Sequence, residues 1–577
     1  MRAGACFQHI SVGCAQAQFG LVQLPVGLYK GNIVTGAQQK ERWSSRLGVI
    51  LAVAGSAVGL GNFLRFPGLA AQYGSGAFML AYFVSLLVLG IPICWVEWTL
   101  GRYAGQMGFH SSPGILHAIT RHTMGKYIGV LGVIIPVVIY MYYVYIEAWC
   151  LGYMFYFLTG QLNLGDNVAA YGDFWARFVG ATENGLTFSA GHNQAVLFLV
   201  LVFALNFVLI YRGLVRGIEL FCKYAMPALI LLGLIILVRV LTLGTPDPSK
   251  PDQNVLNGLG YMWNPGNVWD QLRNPQLWLA AAGQIFFSLS VGFGVIITYA
   301  SYLRRQDDIV LSGLSSSAAN EFCEVALGGL ITVPAAYVFL GAAGVVGHGT
   351  FSLGFKVLPL VFSKMPLPWL FGALFFLLLF LAAVTSSLSM LQPGIAFLEE
   401  GLGLTRRQSV ALLGLLTAIG CTFVVYFSKD LKALDTLDFW VGTVCIFIMA
   451  TVLVIVFGWI LGIERGWEEA HQGAEMRIPS LFKPIIKYVS PLYLLGVFTL
   501  FVLFNVLGLD LKTGQFNPTS YVRDLIGPHA SPVARLSVIL IVIVVIFFLI
   551  LIATAGRRWE KVAQNAAKTE GSQPDRT

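Results

Sequence analysis

Long apolar runs separated by short polar turns make up most of this chain. A helix needs roughly 20 apolar residues to cross a bilayer, and runs of that order fall near 46–71, 77–100, 125–159, 193–211, 217–243, 276–302, 309–345, 367–400, 407–427, 433–462, 484–508 and 534–556. The pattern predicts an all-α membrane protein of twelve transmembrane helices. Several runs exceed the minimum, which tilt accommodates. The longer polar stretches, about 160–192, 244–275 and 509–533, read as loops on one side, and 465–487 with Glu468, Glu469 and Glu475 as a loop on the other. The chain divides into a Gly/Gln-rich tail (1–42) expected to be disordered, a core of ten spans (43–462), two further spans (463–556) and a polar tail (557–577), also expected to be disordered.

Composition agrees with this division. Of 577 residues 57% are hydrophobic and 11% charged, against about 25% charged in soluble chains. The net charge of +8 does not point to nucleic acid, because the basic residues stand singly or in pairs between apolar runs. With the N-terminus inside, about 24 Lys and Arg fall on the cytoplasmic side and about 11 outside, so both termini are expected in the cytoplasm. Cys6, Cys14, Cys94, Cys150, Cys222, Cys323, Cys421 and Cys445 show no CxxC spacing, and the histidines no HExxH. Disulfide scaffolds and metal enzymes therefore have no support, and no organic cofactor is expected.

Two of the spans are interrupted midway. Gly55, Gly59 and Gly61 crowd the first span, and Gly292 and Gly294 follow Ser290 at a similar depth in the sixth. Each glycine weakens a helix by about 1 kcal/mol. A GxxxG packing face would explain the first cluster alone. Val58-Gly59-Leu60-Gly61 and Val291-Gly292-Phe293-Gly294 nevertheless echo each other, and paired interruptions in corresponding positions point to a 5+5 inverted repeat with helices 1 and 6 unwound at mid-membrane. Unwinding frees carbonyls, which suit a bare cation, and amides, which suit a carboxylate. An amino acid together with sodium would use both.

A few charges lie where an apolar span should exclude them. Arg65 follows the first break; its natural partner is an acid at similar depth, for which Asp438 at the outer end of the tenth span is a candidate, the alternative being that Arg65 snorkels to the headgroups. Glu324 lies near Asn320 in the seventh span, and Thr385, Ser386 and Ser387 form a hydroxyl run in the eighth. Hydroxyl and amide oxygens are hard ligands suited to an alkali cation. Glu97 and Glu147 are two further intramembrane acids, expected to be hydrogen-bonded structural groups.

Arg46-Leu47-Gly48, Gly61-Asn62-Phe63-Leu64-Arg65-Phe66-Pro67, Tyr142 through Glu147, Gly283 through Ser288 and Asp435 through Trp440 together resemble the neurotransmitter:sodium symporter family of the bacterial type. The resemblance runs from about Trp43 through span 10 and more loosely to span 12. It implies one amino-acid site and two sodium sites. The first sodium would be held by Ala57, Asn62, Ser288, Asn320 and the substrate carboxylate, the second by Gly55, Val58, Ala382, Thr385 and Ser386. The substrate would meet Ala57, Leu60, Gly61, Tyr143, Phe287, Ser288 and Ser290, with Ile139, Phe287, Phe293, Ser386 and Met390 around its side chain. Tyr143, Phe287, Arg65, Gln284 and Asp438 would form the extracellular gate, and Lys40, Trp43, Tyr302, Gln392 and Glu400 the intracellular one.

Departures refine what the resemblance implies. Ser288 replaces a threonine but keeps a hydroxyl, while Ile139 and Met390 alter the pocket's shape. Gly59 stands where monoamine carriers have aspartate, which favours a substrate that brings its own carboxylate. Glu324 stands where chloride-dependent members have serine and would supply that negative charge, so chloride independence is expected; proton counter-transport through Glu324 is a further hypothesis. The function implied is sodium-coupled import of neutral, hydrophobic L-amino acids by alternating access in a bacterial inner membrane. The partners are the amino acid and the lipid bilayer, with no nucleic acid; a homodimer stays open. The alternative is a sodium-dependent amino-acid-sensing receptor with little net transport.

Overall fold

The computed structural model describes residues 43–186, 193–264, 267–345, 349–510, 513–528 and 530–570. The N-terminal tail, with Lys40, lies outside them. The described residues are helical, with no β-strand among them. The long helices, labelled here in chain order, are α1 (Arg46–Ala57), α2 (Gly61–Gln72), α3 (Gly76–Gln106), α4 (Thr123–Leu158), α5 (Ala195–Tyr211), α6 (Leu214–Leu241), α7 (Pro275–Leu289), α8 (Val295–Ala300), α9 (Ile309–Leu340), α10 (Pro368–Leu402), α11 (Arg406–Tyr426), α12 (Lys429–Ala470), α13 (Phe482–Val506) and α14 (Pro532–Glu570).

Each predicted run coincides with a helix or a broken helix. Among the described residues nine helices are long and apolar enough to cross a membrane, and α1 with α2, bent by 48°, make a tenth. The other two runs fall short for different reasons. Helix α5 has 17 residues. The sixth run is divided into α7 and α8 by residues 290–294, so neither piece is long enough alone. The chain is a multi-pass membrane protein.

Burial separates a scaffold from a periphery. The most apolar stretches of α4 and α10 are each 83% buried, whereas those of α13 and α14 are 28% and 22% buried. Accordingly α4 and α10 pack along each other at the centre, with α1 against α10 and α7 and α8 against α3. Exposed Ile543 and Ile550 on α14 present apolar surface suited to lipid. The polar loops also carry short helices, including Val168–Phe178, Val255–Trp263 and Ser520–Ile526. The expected C-terminal disorder is not seen as far as Glu570, because α14 continues to that residue. Ala, Lys, Gln and Glu dominate residues 560–570 and are strong helix formers.

Candidate functional site

Helix α1 starts on Ser45, whose side chain accepts the amide of Gly48 at 3.0 Å. It ends where Val58 turns extended (φ −72°, ψ 104°), and the chain rewinds through a wide π turn, Gly61–Arg65, a feature often found at functional sites. Gly59 is required by close approach. A Cβ there would stand 2.9 Å from the Tyr143 hydroxyl and 3.0 Å from Ser386 Oγ, so the aspartate of monoamine carriers has no room in this arrangement. The freed amides are engaged: Gly59 donates to Asn62 Oδ1 at 2.8 Å, and Leu60 to the Tyr143 hydroxyl at 3.4 Å.

Beside this break five oxygens converge. Ser386 Oγ lies 3.3 Å from the Gly55 carbonyl oxygen, 3.2 Å from that of Val58 and 3.1 Å from that of Ala382. Thr385 Oγ1 lies 3.0 Å from the same Ala382 oxygen. One Ser386 proton cannot serve three carbonyls, so lone pairs remain directed at a shared space. These are the five residues expected at the second sodium site, and the fold brings them together between α1 and α10.

A second cluster joins the other side of the break to α7 and α9. Asn62 Nδ2 donates to Asn320 Oδ1 at 2.8 Å, and Asn320 Nδ2 to Ser288 Oγ at 2.6 Å. The Asn320 amide oxygen in turn faces the Ser288 and Ala57 carbonyl oxygens at 3.2 and 3.3 Å. Acceptors facing acceptors need either a rotated amide, whose nitrogen then donates to both carbonyls, or a cation between them. Oxygen ligands at about 2.3–2.6 Å from a hard cation lie about this far from one another. Behind the cluster the buried Glu324 accepts from Gln284, Ser288 and Tyr82. The Tyr82 hydroxyl also stands 2.8 Å from Glu321, so one hydrogen serves two carboxyl groups.

The second break needs left-handed backbone at Ser290 (φ 54°), Gly292 (φ 79°) and Gly294 (φ 84°). A Cβ on Gly294 would come within 2.2 Å of the Gly132 carbonyl oxygen, so α4 and this break touch backbone to backbone. Glu97 accepts the Gly292 amide at 2.5 Å; this acid, expected only to be hydrogen-bonded somewhere, caps the unwound segment. Ser290 Oγ donates to the Ser56 carbonyl at 2.9 Å, tying the two breaks together.

Between the breaks lies a narrow cavity of about 20 Å³, room for about one water molecule, walled by Ser56, Ala57, Gly59, Gly61, Asn62, Tyr143, Phe287, Ser290, Phe293, Ser386 and Met390. Of the residues expected to touch substrate, Ala57, Gly61, Tyr143, Phe287, Ser290, Phe293, Ser386 and Met390 are in this wall. Leu60 lines the outer vestibule instead, Ser288 lies in the Asn62–Asn320 cluster, and Ile139 is fully buried outside the wall. Ser56 was not among the expected lining residues; its hydroxyl is 2.7 Å from that of Ser389.

The residues of the two expected gates are placed differently. On the side expected to face outward, Arg65, Tyr142, Phe287, Asp435 and Asp438 line a vestibule. Arg65 lies over the Phe287 ring at 4.8 Å, and Asp438 accepts from Tyr142 at 2.6 Å. Among the described residues no ion pair joins Arg65 to Asp438, and Gln284, expected in this gate, donates to Glu324 instead. On the side expected to face inward, Trp43 donates to the Tyr299 carbonyl at 3.0 Å, and Gln392 to Tyr302 at 3.2 Å. Tyr302 stacks on His110 with centroids 4.8 Å apart. Glu400 accepts the amides of His110 and Ser111 and the Ser111 hydroxyl, which fixes the turn before the helix Ser112–Thr120; the helix itself is capped by Ser111, whose side chain accepts the Gly114 amide. The Ser-Ser-Pro run at 111–113 is a helix-start signal.

The sequence model described as "Sodium:neurotransmitter symporter family" matches residues 40–171 and 159–554. The chain belongs to this family. An uncharacterized sodium-dependent transporter of Methanocaldococcus jannaschii is 29% identical over 473 residues, covering 80% of this chain and 90% of its own. The mouse sodium-dependent neutral amino acid transporter B(0)AT1 is 25% identical over 559 residues, covering 82% and 83%. Among solved structures, MhsT in complex with L-phenylalanine superposes with a TM-score of 0.68 at 28% identity, covering 80% of this symporter and 99% of MhsT. The two broken helices, the cavity and both oxygen clusters all lie inside the matched residues of the symporter.

Proposed function

We propose that this symporter imports neutral, hydrophobic L-amino acids together with sodium, by alternating access around the two broken helices. The observation that carries the reading is the meeting of two clusters of incompletely satisfied oxygens at one narrow cavity between the two breaks, which a substrate would have to widen. In the reading, Ala57, Asn62, Ser288 and Asn320 hold one sodium, completed by the substrate carboxylate, and that shared ligand couples ion to solute. Gly55, Val58, Ala382, Thr385 and Ser386 hold the other and tie α1 to α10. Neutral oxygens at hydrogen-bonding separations suit an alkali cation better than a transition metal.

The substrate carboxylate would take the Leu60 and Gly61 amides and the Tyr143 hydroxyl. Its ammonium would face the carbonyls around Ala57 and the Ser290 hydroxyl. Phe287, Phe293 and Met390 supply an apolar remainder with no charged side chain in the wall, which favours neutral side chains. Outward closure would bring Asp438 to Arg65 above Phe287. Departure of the second sodium to the cytoplasm would uncouple α1 from α10 and loosen Trp43 from Tyr299. Glu324 supplies a fixed negative charge beside the first cluster, the basis for chloride independence and for a proton counter-transport arm. The membrane is a bacterial inner membrane with both termini in the cytoplasm.

Uptake of individual labelled amino acids into proteoliposomes, with and without an inward sodium gradient and with chloride replaced by gluconate, tests the reading. Sodium-driven uptake of leucine-, phenylalanine- or similar neutral substrates in gluconate is the expected result. Sodium-dependent binding without uptake would favour a receptor, and loss of uptake in gluconate would remove the Glu324 argument.

A further inference from the structure

On the cytoplasmic side the segment after α12 folds back onto the start of α1. Glu475 Oε1 meets Arg46 Nη1 at 2.7 Å, and the Glu475 amide donates to Asp308 Oδ2 at 2.9 Å. Asp308, 3% exposed, also receives Arg46 Nη2 at 3.2 Å. The buried Arg102 anchors the base of the segment, bonding Glu469 Oε1 at 3.1 Å, the Gln472 carbonyl at 2.8 Å and the Asp307 carbonyl at 2.7 Å. Gly473 approaches so near that a Cβ would lie 2.2 Å from the Gln306 carbonyl oxygen. The segment thus clasps α1 and the α8–α9 turn together, beside the Trp43 contact that shuts the inner side.

One side chain closes the clasp upon itself. His471 Nδ1 is 2.7 Å from the Trp467 carbonyl oxygen, which can only accept, so Nδ1 carries a proton. His471 Nε2 is 2.9 Å from the Ile478 amide nitrogen, which can only donate, so Nε2 must be bare. The two partners therefore fix the neutral imidazole in one tautomer. A second proton would set N–H against N–H at Ile478.

We propose that this turn is a cytoplasmic acid sensor: protonation of His471 releases Ile478, slackens the 471–478 segment and frees the start of α1 to move inward-open. An imidazole is the side chain whose charge changes between about pH 5 and 8. The charged groups around it are Arg102 and Arg305, both bonded to Gln472, Glu469 on Arg102, Lys483 over the Trp467 ring at 5.4 Å, and Glu475 and Arg477 in the same segment. Of these, Glu469 and Glu475 are already engaged by arginines. The Arg46–Glu475 pair is half-exposed and weak by itself, so the backbone bonds at Ile478 and Glu475 carry the hold. The inference rests on the transport reading only for its consequence; the clasp can be read directly.

The test is hydrogen–deuterium exchange of the full-length protein in nanodiscs at about pH 7.5 and about pH 5.5, corrected for intrinsic exchange, on wild type, His471→Gln and His471→Phe. Gln keeps an acceptor that does not titrate, and Phe has none. Wild type should lose about fivefold protection at 474–480 and 46–50 on acidification, roughly what one net hydrogen bond confers. His471→Gln should stay protected at both values, and His471→Phe should be equally unprotected at both. Unchanged wild-type protection, or an acid response that persists in His471→Gln, overturns the proposal, the second outcome placing the sensor elsewhere, with Glu324 the first suspect. Failure of sodium-driven uptake would sink the transport reading and leave the exchange pattern standing.

Discussion

The two oxygen clusters at the first break use the same unwound backbone but different chemistry. The Gly55–Ser386 cluster is built only from carbonyls and hydroxyls between α1 and α10. The Asn62–Asn320 cluster adds two amides and is backed by a buried carboxylate, Glu324, that three side chains hold in place. On the proposed reading, a cation in the first would be stabilised by dipoles alone; one in the second would also lie beside the Glu324 carboxyl group, whose charge, when ionised, counts for more in a low-dielectric setting. The neutral cluster should then be the weaker and more readily emptied of the two, which suits the ion proposed to unlock the inner side. The other should be the tighter, which suits the ion proposed to share the substrate carboxylate.

Substitutions can break this contrast. Asn62→Ala removes a side chain that both orders the break and faces the charged cluster; the loss of contacts to a charged group costs about 1.5–3 kcal/mol each. Sodium-dependent binding of labelled L-leucine or L-phenylalanine should fall by about 10–100-fold or vanish, and an unaltered sodium response would remove Asn62 from the site. Glu324→Ser should reduce sodium-driven uptake by about tenfold in gluconate, about the differential of one charge contact, and chloride should restore it; a variant equally active without chloride would separate Glu324 from the ion.

Thr385→Ala removes a hydroxyl of the neutral cluster that lies outside the cavity wall. It should raise the sodium concentration for half-maximal uptake about threefold to tenfold, with substrate binding at saturating sodium nearly intact, measured by titration at fixed substrate. If this variant and Asn62→Ala damaged binding alike, the distinction between the clusters would fail. The smallest effect is expected at Met390→Ile, which exchanges a flexible wall residue for a stiffer one. It should shift the ratio of phenylalanine to leucine uptake by a few-fold, as differences of about 1–3 kcal/mol per methylene in apolar pockets suggest, without moving the sodium dependence.

The outer and inner sides show what a sequence conveys and what it does not. Glycines at 55, 59, 61, 292 and 294 announce both breaks because helix weakening is a local property. The hydroxyls of Thr385 and Ser386 are legible for a similar reason: their type and depth suffice. Arg65 and Asp438 are legible as charges at matching depth, but whether they touch depends on the state of the vestibule, and here each has another partner. Glu97 is visible as a misplaced acid and Glu400 only through the family resemblance, yet their contacts are to backbone amides 195 and 290 residues away, which no spacing rule reaches. Gln284 sits on a helix whose rotation decides between gate and ion cluster, and that helix packs chiefly against α3.

The most direct test of the coupling claim is the steady-state accumulation of labelled L-phenylalanine or L-leucine in proteoliposomes as the imposed inward sodium gradient is varied. The account predicts an internal-to-external ratio well above one that climbs with the gradient and collapses when an ionophore dissipates it. A ratio that stays at one for every gradient, with sodium-dependent binding intact, would contradict it.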